Sequence, residues 1–256
     1  MPPLEYYRPK TLAEALTLLQ RGVPLAGGTA LAPNRRTLQA VVDLQDLGLD
    51  SLDISETGFR FGATIPLQAL VAAAERLPRS LVRACRLEAG WNIRNQATLG
   101  GTLISSDGRS PLLTTLMAMG AELEWAQRDS RMPLAELFSL RASRTSVGLI
   151  TAIHIRRPDQ LAYEQVGRSP ADLPQVCAAA ASFGAAEQFR VAIGGYGRHP
   201  LLVQDSGDAS PEAIERGARS AEEAYSTAGD AWASADFRAA VAGTLVRRVV
   251  REVLPS

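Results

Sequence analysis

The pattern of apolar and polar positions predicts a helix between two short strands at the start of the chain. Residues 11–14 match the Thr-x-x-Glu pattern that caps helix N-termini, and leucines then repeat at helical spacing up to Leu19. Short apolar runs over residues 23–26 and 40–44 predict strands, and the first run leads directly into a glycine pair. We therefore predict a small β-α-β unit over residues 1–57.

Two further regions follow, and both mix helices with strands. Within residues 58–160 the pattern predicts strands at 58–63, 121–126 and 147–155, and helices at 66–77, 79–89 and 112–119. Residues 161–256 predict strands at 176–181 and 189–193, a polar surface loop at 204–211, and helices at 211–227 and 235–254. The last helix carries an apolar stripe that we expect in the core, namely Phe237, Val241, Leu245, Val249 and Val253. The pattern as a whole predicts an α+β protein with three lobes.

Composition excludes several classes of function. Lysine and arginine together number 27, as do aspartate and glutamate, so the net charge is zero and no basic patch for nucleic acid is expected. Lys10 is the only lysine, which excludes a P-loop lysine. The chain has neither a signal peptide pattern nor an apolar run long enough to span a membrane. These features favour a cytoplasmic protein.

The cysteines and histidines do not form a recognisable metal or catalytic pattern. Cys85 and Cys177 are far apart and lack partners at metal-binding spacing, so the chain holds no iron–sulfur cluster or zinc site of its own. We expect both to be buried thiols. His154 lies in a predicted strand and His199 has no suitable neighbour, so we assign both to structure.

Two Gly-Gly-Thr segments carry the main chemical signal. One is Ala26-Gly-Gly-Thr-Ala30 and the other is Thr98-Leu-Gly-Gly-Thr102. Glycine allows main-chain N–H groups to approach a ligand closely, and concave arrays of such groups bind phosphates. A glycine pair alone is most often a turn. The repetition predicts two backbone cradles that together suit a pyrophosphate.

Longer strings of residues resemble a known family. Ala26-Gly-Gly-Thr29 is followed by Ile93-Arg-Asn-Gln-Ala-Thr-Leu-Gly-Gly101, then by Tyr163-Glu-Gln-Val-Gly-Arg168 and Val191-Ala-Ile-Gly-Gly-Tyr-Gly197. This order resembles the FAD-binding medium subunit of molybdenum hydroxylases, the family of carbon monoxide dehydrogenase and xanthine dehydrogenase. The resemblance covers nearly the full chain. It implies an FAD-binding fold of two α/β subdomains (1–57 and 58–160) and a C-terminal α+β flavoprotein lobe (161–256).

The resemblance also implies a cofactor, partners and a set of site residues. FAD is expected to bind noncovalently, with its pyrophosphate on the two glycine segments and no catalytic acid–base pair. Electrons would come from an iron–sulfur subunit, itself supplied by a molybdopterin subunit, because this chain lacks cysteine clusters. The expected cofactor-binding residues are Ala26, Gly27, Gly28, Thr29, Ala30, Ile93, Thr98, Leu99, Gly100, Gly101, Thr102, Asp107 and Gln165.

The chain departs from the family pattern at several positions. Relatives often carry Asp or Ser at Ala30 and a lysine at Gln165, and their usual aspartate falls on Pro111 here. Asp107 either replaces that aspartate as a ribityl contact or only starts an Asp-Gly turn. These departures favour one alternative to an electron-transfer subunit, a flavin-free scaffold of the same fold. A stand-alone flavin oxidase of a related type is a second alternative.

Four residues near the motifs have both a functional and a structural interpretation. Arg94 and Arg109 flank the second glycine segment, where they either contact the cofactor or form surface salt bridges. Trp91 and Tyr196 either line the cofactor cleft or pack in the protein. For all four we expect the structural role.

Overall fold

The first lobe is a three-stranded parallel sheet with one α-helix and two short 3-10 helices, Ala32–Thr37 and Gln45–Leu47. The computed structural model describes residues 4–142, 148–169, 172–184, 188–207 and 210–254. The elements of this lobe are β1 (Glu5–Tyr7), α1 (Leu12–Leu18), β2 (Val23–Leu25) and β3 (Ala40–Asp43), with β3 in the centre of the sheet. The Thr11 side chain accepts a hydrogen bond from the N–H of Glu14, so the predicted helix cap is confirmed.

The second sheet has five antiparallel strands in the order β4-β5-β8-β6-β7. These are β4 (Leu52–Ile54), β5 (Gly58–Gly62), β6 (Glu122–Trp125), β7 (Met132–Pro133) and β8 (Ile150–Arg156). Strand β4 pairs with β5, which places residues 52–54 with the second sheet although the sequence grouped them with the first lobe. Where the subdomains divide stays a prediction.

Six helices accompany this sheet, and one of them replaces a predicted loop. They are α2 (Leu67–Ala72), α3 (Arg79–Glu88), α4 (Trp91–Arg94), α5 (Leu99–Ser105), α6 (Pro111–Ala118) and α7 (Leu134–Ala142). The second glycine pair lies inside α5, so the expectation of an open loop there was wrong. Thr98 caps this helix through its side chain, which is why the glycines do not interrupt it.

The C-terminal lobe is an antiparallel sheet covered by helices on both faces. Its strands are β9 (Gln160–Val166), β10 (Val176–Phe183), β11 (Gln188–Gly194) and β12 (Leu201–Ser206), and its helices are α8 (Pro211–Ala224) and α9 (Ala235–Val253). Helices α8 and α9 cover one face and α6 packs against the other. Because β12 extends to Ser206, the predicted loop at 204–211 was wrong over its first three residues.

Helix α9 shows where the stripe prediction fails. Leu245, Val249 and Val253 are buried as expected, but Phe237 is 39% exposed. The neighbouring Arg238 is only 1% exposed, and it donates hydrogen bonds to main-chain carbonyls and to Asp230. Burying an arginine is costly unless its charge is paired and hydrogen-bonded, and these partners meet both conditions.

The second and third lobes are joined through glycine backbones. The N–H of Gly108 donates to the carbonyl of Gly197, and the N–H of Gly195 donates to the carbonyl of Gly108. Gly195 has φ +110, a conformation that favours glycine. All eight residues of α6 are buried between the two sheets. Among the described residues no helix is long and apolar enough to cross a membrane, and the α+β class is confirmed.

Candidate functional site

One cavity of about 340 Å³ is lined by both glycine segments. The first segment contributes residues 26–30, and the second contributes Thr98, Gly100 and Gly101. The remaining wall is largely apolar and is formed by Val23, Pro24, Leu31, Leu44, Ala63, Ile104, Leu149 and Ile150, with Thr64 and Ser105 as further hydroxyl groups. The described lining residues include no charged side chain. An anion in this cavity must therefore be held by N–H and O–H groups.

The first segment keeps its main-chain donors unused. The N–H groups of residues 27–30 have no acceptor within the part of the chain that the structure describes. Gly28 has φ +72, and its carbonyl accepts from the N–H groups of Leu31 and Ala32, which closes the turn. Consecutive N–H groups in such a turn form an anion-binding nest. The predicted backbone cradle is thus available at this segment.

Gly27 lies directly against the chain that enters the second segment. A Cβ built on Gly27 would overlap the carbonyl oxygen and carbon of Gln96, which are backbone atoms and cannot swing aside. Gln96 and Ala97 lie immediately before the second segment. Only glycine at position 27 therefore allows the first segment to lie against the chain that enters the second.

The second segment has its main-chain donors already occupied. The N–H of Gly100 donates to Ala63 at 2.7 Å, and that of Gly101 donates to the Thr98 hydroxyl at 3.2 Å. The N–H and hydroxyl of Thr102 both donate to the Thr98 carbonyl, each at 2.9 Å. Residues 100–102 therefore have no unused main-chain donor in this arrangement, and a contact of these residues with the phosphates of FAD stays a prediction.

The second segment instead shapes the cavity wall. Thr98 accepts at its hydroxyl oxygen from Gly101, which leaves the hydroxyl proton to donate into the cavity. Leu99 is fully buried in the core, and its N–H donates to the carbonyl of Ile65. Leu99 and Thr102 are not part of the wall. They hold the first turn of α5 in place.

Three other expected site residues do not line this cavity. Ile93 lies in α4 and is 49% exposed. Asp107 accepts hydrogen bonds from the main chain and the guanidinium of Arg109 at 2.9–3.3 Å, which agrees with the turn interpretation. Gln165 accepts from the hydroxyl of Tyr163 at 2.8 Å. A contact of any of the three with FAD stays a prediction.

The structure adds wall residues that the motifs did not indicate. Ala63 and Thr64 directly follow β5, and Leu149 directly precedes β8. Strands β5 and β8 are neighbours, so the end of one and the start of the other lie together. Their position depends on the pairing of strands about 90 residues apart, and single-residue patterns do not indicate such pairing.

Three of the four flanking residues make structural contacts, and the prediction for the fourth was wrong. Arg94 donates to the carbonyls of Arg86 and Ala89 at the end of α3, and Arg109 pairs with Asp107 at 3.2 Å. Tyr196 packs edge-on against Tyr225, with ring centroids 6.2 Å apart. Trp91 was expected to pack in the core, but it is 65% exposed.

The loop after α5 is held by a partly buried carboxylate. Glu88 accepts from the hydroxyls of Ser106 and Ser110 and from the N–H of Leu112 at 2.7–3.1 Å. Burial raises the pKa of Glu88 above its usual range, although these hydrogen bonds oppose the shift. Glu88 thereby ties the end of α5 to the start of α6.

The cysteines and histidines have the structural roles that were expected. Both thiols are fully buried, and burial raises the pKa of Cys85 to about 12 and that of Cys177 to about 11. His154 bonds to Glu124 at 2.7 Å, and His199 stacks on Phe138. Within the described residues no group of three or more His, Cys, Asp or Glu side chains has a metal-binding arrangement.

These residues fit an FAD diphosphate. The N–H groups of residues 27–30 and the hydroxyls of Thr29, Thr64 and Thr98 are donors, and the apolar wall suits flat rings. A side chain at position 27 or 28 would disturb this arrangement, because position 27 has no room and position 28 has positive φ.

Comparison with known proteins agrees with the cavity. Residues 2–158 match the family described as FAD binding domain in molybdopterin dehydrogenase, and residues 161–253 match the CO dehydrogenase flavoprotein C-terminal domain. The chain is 31% identical over 208 residues to the uncharacterized protein YgfM of Escherichia coli K12, covering 78% of each chain. It is 29% identical to the carbon monoxide dehydrogenase medium chain of Afipia carboxidovorans, covering 96% of this chain and 95% of the relative.

Solved structures show the same fold. The cyanide-inactivated Cu,Mo-CO dehydrogenase superimposes with a TM-score of 0.79 at 25% identity, covering 99% of this chain and 98% of that one. Quinoline 2-oxidoreductase from Pseudomonas putida 86 has a TM-score of 0.81 at 21% identity, covering 98% and 97%. The chain therefore belongs to the family of FAD-binding medium subunits of molybdopterin dehydrogenases, and FAD is its cofactor.

Proposed function

We propose that this chain is the electron-transfer subunit of a molybdenum hydroxylase-type oxidoreductase. It receives electrons from a partner iron–sulfur subunit and passes them to an acceptor, while a molybdopterin subunit oxidises the substrate. The names of two relatives support a heteromeric assembly, since one is a medium chain and another is the nicotine 6-hydroxylase medium subunit of Paenarthrobacter nicotinovorans, 27% identical. The absence of a metal-binding cluster among the described residues supports placing the metal centres on partner chains.

The observation that carries the proposal is the unused row of N–H groups at residues 27–30, facing a cavity that the second glycine segment closes. When bound, FAD supplies the redox chemistry, and the polypeptide supplies placement. The N–H groups at 27–30 hold the diphosphate, and the hydroxyls of Thr29 and Thr98 donate to its oxygens. The apolar wall excludes water from the bound cofactor.

Two details of the cavity define how the cofactor is held. No histidine or cysteine is among the described lining residues, which supports noncovalent binding. The described lining also lacks a charged side chain, so only N–H and O–H groups are available there to bind the phosphates. We expect the assembly to work in the cytoplasm.

The first experiment is purification of the chain with its genomic partners. We expect a yellow complex that releases FAD on denaturation, and a flavin absorbance that bleaches when the iron–sulfur subunit is reduced anaerobically. A colourless chain that does not take up added FAD would support the scaffold alternative. Retained FAD that the reduced iron–sulfur subunit does not bleach would contradict the electron-transfer role alone.

A further inference from the structure

One segment of the second lobe carries a positive charge that the chain as a whole does not. The net charge of the full sequence is zero, but residues 79–94 contain four arginines and a single acidic residue, Glu88. Three of these arginines recur at i, i+4 and i+7 in helix α3, so they lie on one face of that helix, and all three are exposed. They form the arginine stripe, namely Arg79, Arg83 and Arg86.

The charge of the stripe is not neutralised by the rest of the described chain. Arg79 and Arg86 form no salt bridge with any residue that the structure describes. Arg83 donates to the carbonyl of Tyr163 at 2.9 Å, which is a neutral partner. Glu88 accepts its hydrogen bonds from two hydroxyls and a main-chain N–H instead of from the stripe. Three positive charges therefore face the solvent from one helix.

The next helix, α4, exposes two large apolar side chains. Trp91 is 65% exposed and Ile93 is 49% exposed. The backbone beneath them is fixed, because the guanidinium of Arg94 donates to the side chain of Gln68 and to two carbonyls at the end of α3. The side chain of Asn95 also donates to the carbonyl of Trp91 at 2.9 Å. Large apolar side chains that stay exposed together on a well-bonded helix indicate an interaction surface.

This surface reaches the wall of the cofactor cavity. The N–H groups of Gln96 and Ala97 donate to the carbonyl of Ile93 at 3.0 and 2.7 Å. The carbonyl of Gln96 in turn lies against Gly27, which lines the cavity, and Thr98 lines it as well. A protein that contacts Trp91 and Ile93 therefore lies next to the bound cofactor, where electron transfer over a short distance is possible.

The composition of the surface favours one kind of partner. Tryptophan and arginine are enriched in protein interfaces and carry much of their binding energy. Permanent subunit interfaces are large and mostly apolar, whereas transient electron-transfer complexes bury little area. Unpaired charges steer such transient partners by electrostatic complementarity. A small apolar patch beside three unneutralised arginines fits a transient partner with an acidic face.

We propose that the arginine stripe, together with Trp91 and Ile93, docks a small acidic electron-carrier protein that serves as the electron acceptor. The inference rests on the proposed function, because it names the class of acceptor to which this subunit passes its electrons. Two carrier molecules in succession each gain one electron, and two protons pass to water as FADH2 is oxidised to FAD. Carboxylates of the carrier pair with Arg79 and Arg86, and its apolar surface covers Trp91.

The test measures electron transfer from the FAD-loaded chain to plastocyanin, an acidic one-electron acceptor. The chain is reduced anaerobically with dithionite, freed of excess reductant and mixed with plastocyanin in a stopped-flow instrument. We expect a second-order rate constant that falls steeply with rising salt. At low salt the double variant Arg79→Glu/Arg86→Glu should lower it at least about tenfold. Trp91→Ala should lower it about tenfold, and Trp91→Phe should largely restore it.

A second pair of arginines gives the matched control. Arg219 and Arg251 are exposed on α8 and α9 in the C-terminal lobe. Arg219→Glu/Arg251→Glu changes the net charge by the same amount and should leave the rate with plastocyanin nearly unchanged. Cytochrome c, a basic one-electron acceptor, should react more slowly than plastocyanin with the wild type and faster with Arg79→Glu/Arg86→Glu. Thermal unfolding with FAD retained checks that each variant is folded.

Failure of this inference is distinguishable from failure of the proposed function. A chain that does not take up FAD would contradict the proposed function, while calorimetric titration with oxidised plastocyanin would still test whether the stripe binds an acidic protein. Three results would overturn the docking proposal. They are a plastocyanin reaction or affinity that neither salt nor Arg79→Glu/Arg86→Glu changes, loss of the iron–sulfur subunit from the purified complex of that variant, and tighter binding of duplex DNA than of plastocyanin at the same salt.

Discussion

Residues 26–30 and 98–102 both contain Gly-Gly-Thr and line the same cavity, but they use their main-chain N–H groups differently. In the first segment the N–H groups of residues 27–30 are free of partners within the described chain. In the second, those of residues 100–102 donate to Ala63 and Thr98. One segment is equipped to hold an anion, and the other holds the protein together.

The residue two positions before the glycine pair explains the difference. Thr98 occupies that position in the second segment, and its hydroxyl caps a helix that then continues through Leu103 and Ile104. Leu25 occupies it in the first segment, and leucine has no side-chain acceptor for a cap. The chain therefore turns after Leu25 instead of starting a regular helix. Whether the Gly-Gly-Thr sequence starts a helix or forms a turn therefore depends on whether a capping residue precedes it.

The largest expected effect comes from Gly27→Ala, which separates the two segments. The new methyl group overlaps the Gln96 carbonyl, so the segments move apart or the loop unfolds. We expect a loss of about 3 kcal/mol in the free energy of unfolding and loss of bound FAD. Denaturant titration and the flavin content of the purified chain measure the two effects.

Gly90→Ala is the control for that substitution. No atom lies within 4 Å of a Cβ built on Gly90, which also lies close to the second segment in sequence. It should change neither stability nor flavin content appreciably. If Gly27→Ala behaved like Gly90→Ala, the contact between the segments would be irrelevant to FAD binding.

A smaller effect distinguishes the two threonines. Thr98→Val removes the cap of α5 and should cost about 1 kcal/mol of stability, which Thr98→Ser restores. Thr29 has no hydrogen-bond partner for its hydroxyl among the described residues, so Thr29→Val should leave stability unchanged. FAD affinity in Thr29→Val should fall at least about tenfold, because a bond to phosphate is lost. Unfolding curves and FAD titrations of the three variants check this. Equal losses of stability in Thr98→Val and Thr29→Val would contradict the different roles of the two threonines.

The smallest expected effect is a pH dependence at the end of α5. Burial raises the pKa of Glu88 above its ordinary value of 4.5, so the folded chain binds this proton more tightly than the unfolded chain. The stabilisation from this group is complete below pH 4.5 and is lost as pH rises through the folded pKa.

Glu88→Gln should remove this loss, while Glu56→Gln, at an exposed site, should not. Unfolding free energies measured from pH 4 to pH 8 give the comparison. If the free energy of unfolding changed with pH in parallel for the wild type and for Glu88→Gln, ionisation of Glu88 would have no effect on stability.

The sequence predicted the elements that local patterns specify. The Thr11 cap, the strand before the first glycine pair and the helices α3 and α9 are where the periodicity placed them. These features depend on neighbours in the chain, which a sequence displays directly.

What the sequence did not reveal depends on distant partners. The N–H of Gly100 donates to the carbonyl of Ala63, which directly follows strand β5, and the buried Arg238 donates to the carbonyl of Gln175, 63 positions earlier. The wall residues Thr64 and Leu149 meet because β5 pairs with β8. Hydrophobic periodicity carries no information on such pairing. The sequence therefore could not predict which hydrogen-bond donors of the cavity are unused.

Helix α6 has a consequence for how this protein evolves. Its sequence belongs to the part that matches the FAD-binding family, yet its side chains fill the space against the sheet of the other matched part. A gene split near residue 160 would leave this apolar helix bare on the first product. An exchange of C-terminal lobes between relatives should therefore keep the fold only if the incoming lobe has a surface that receives this helix.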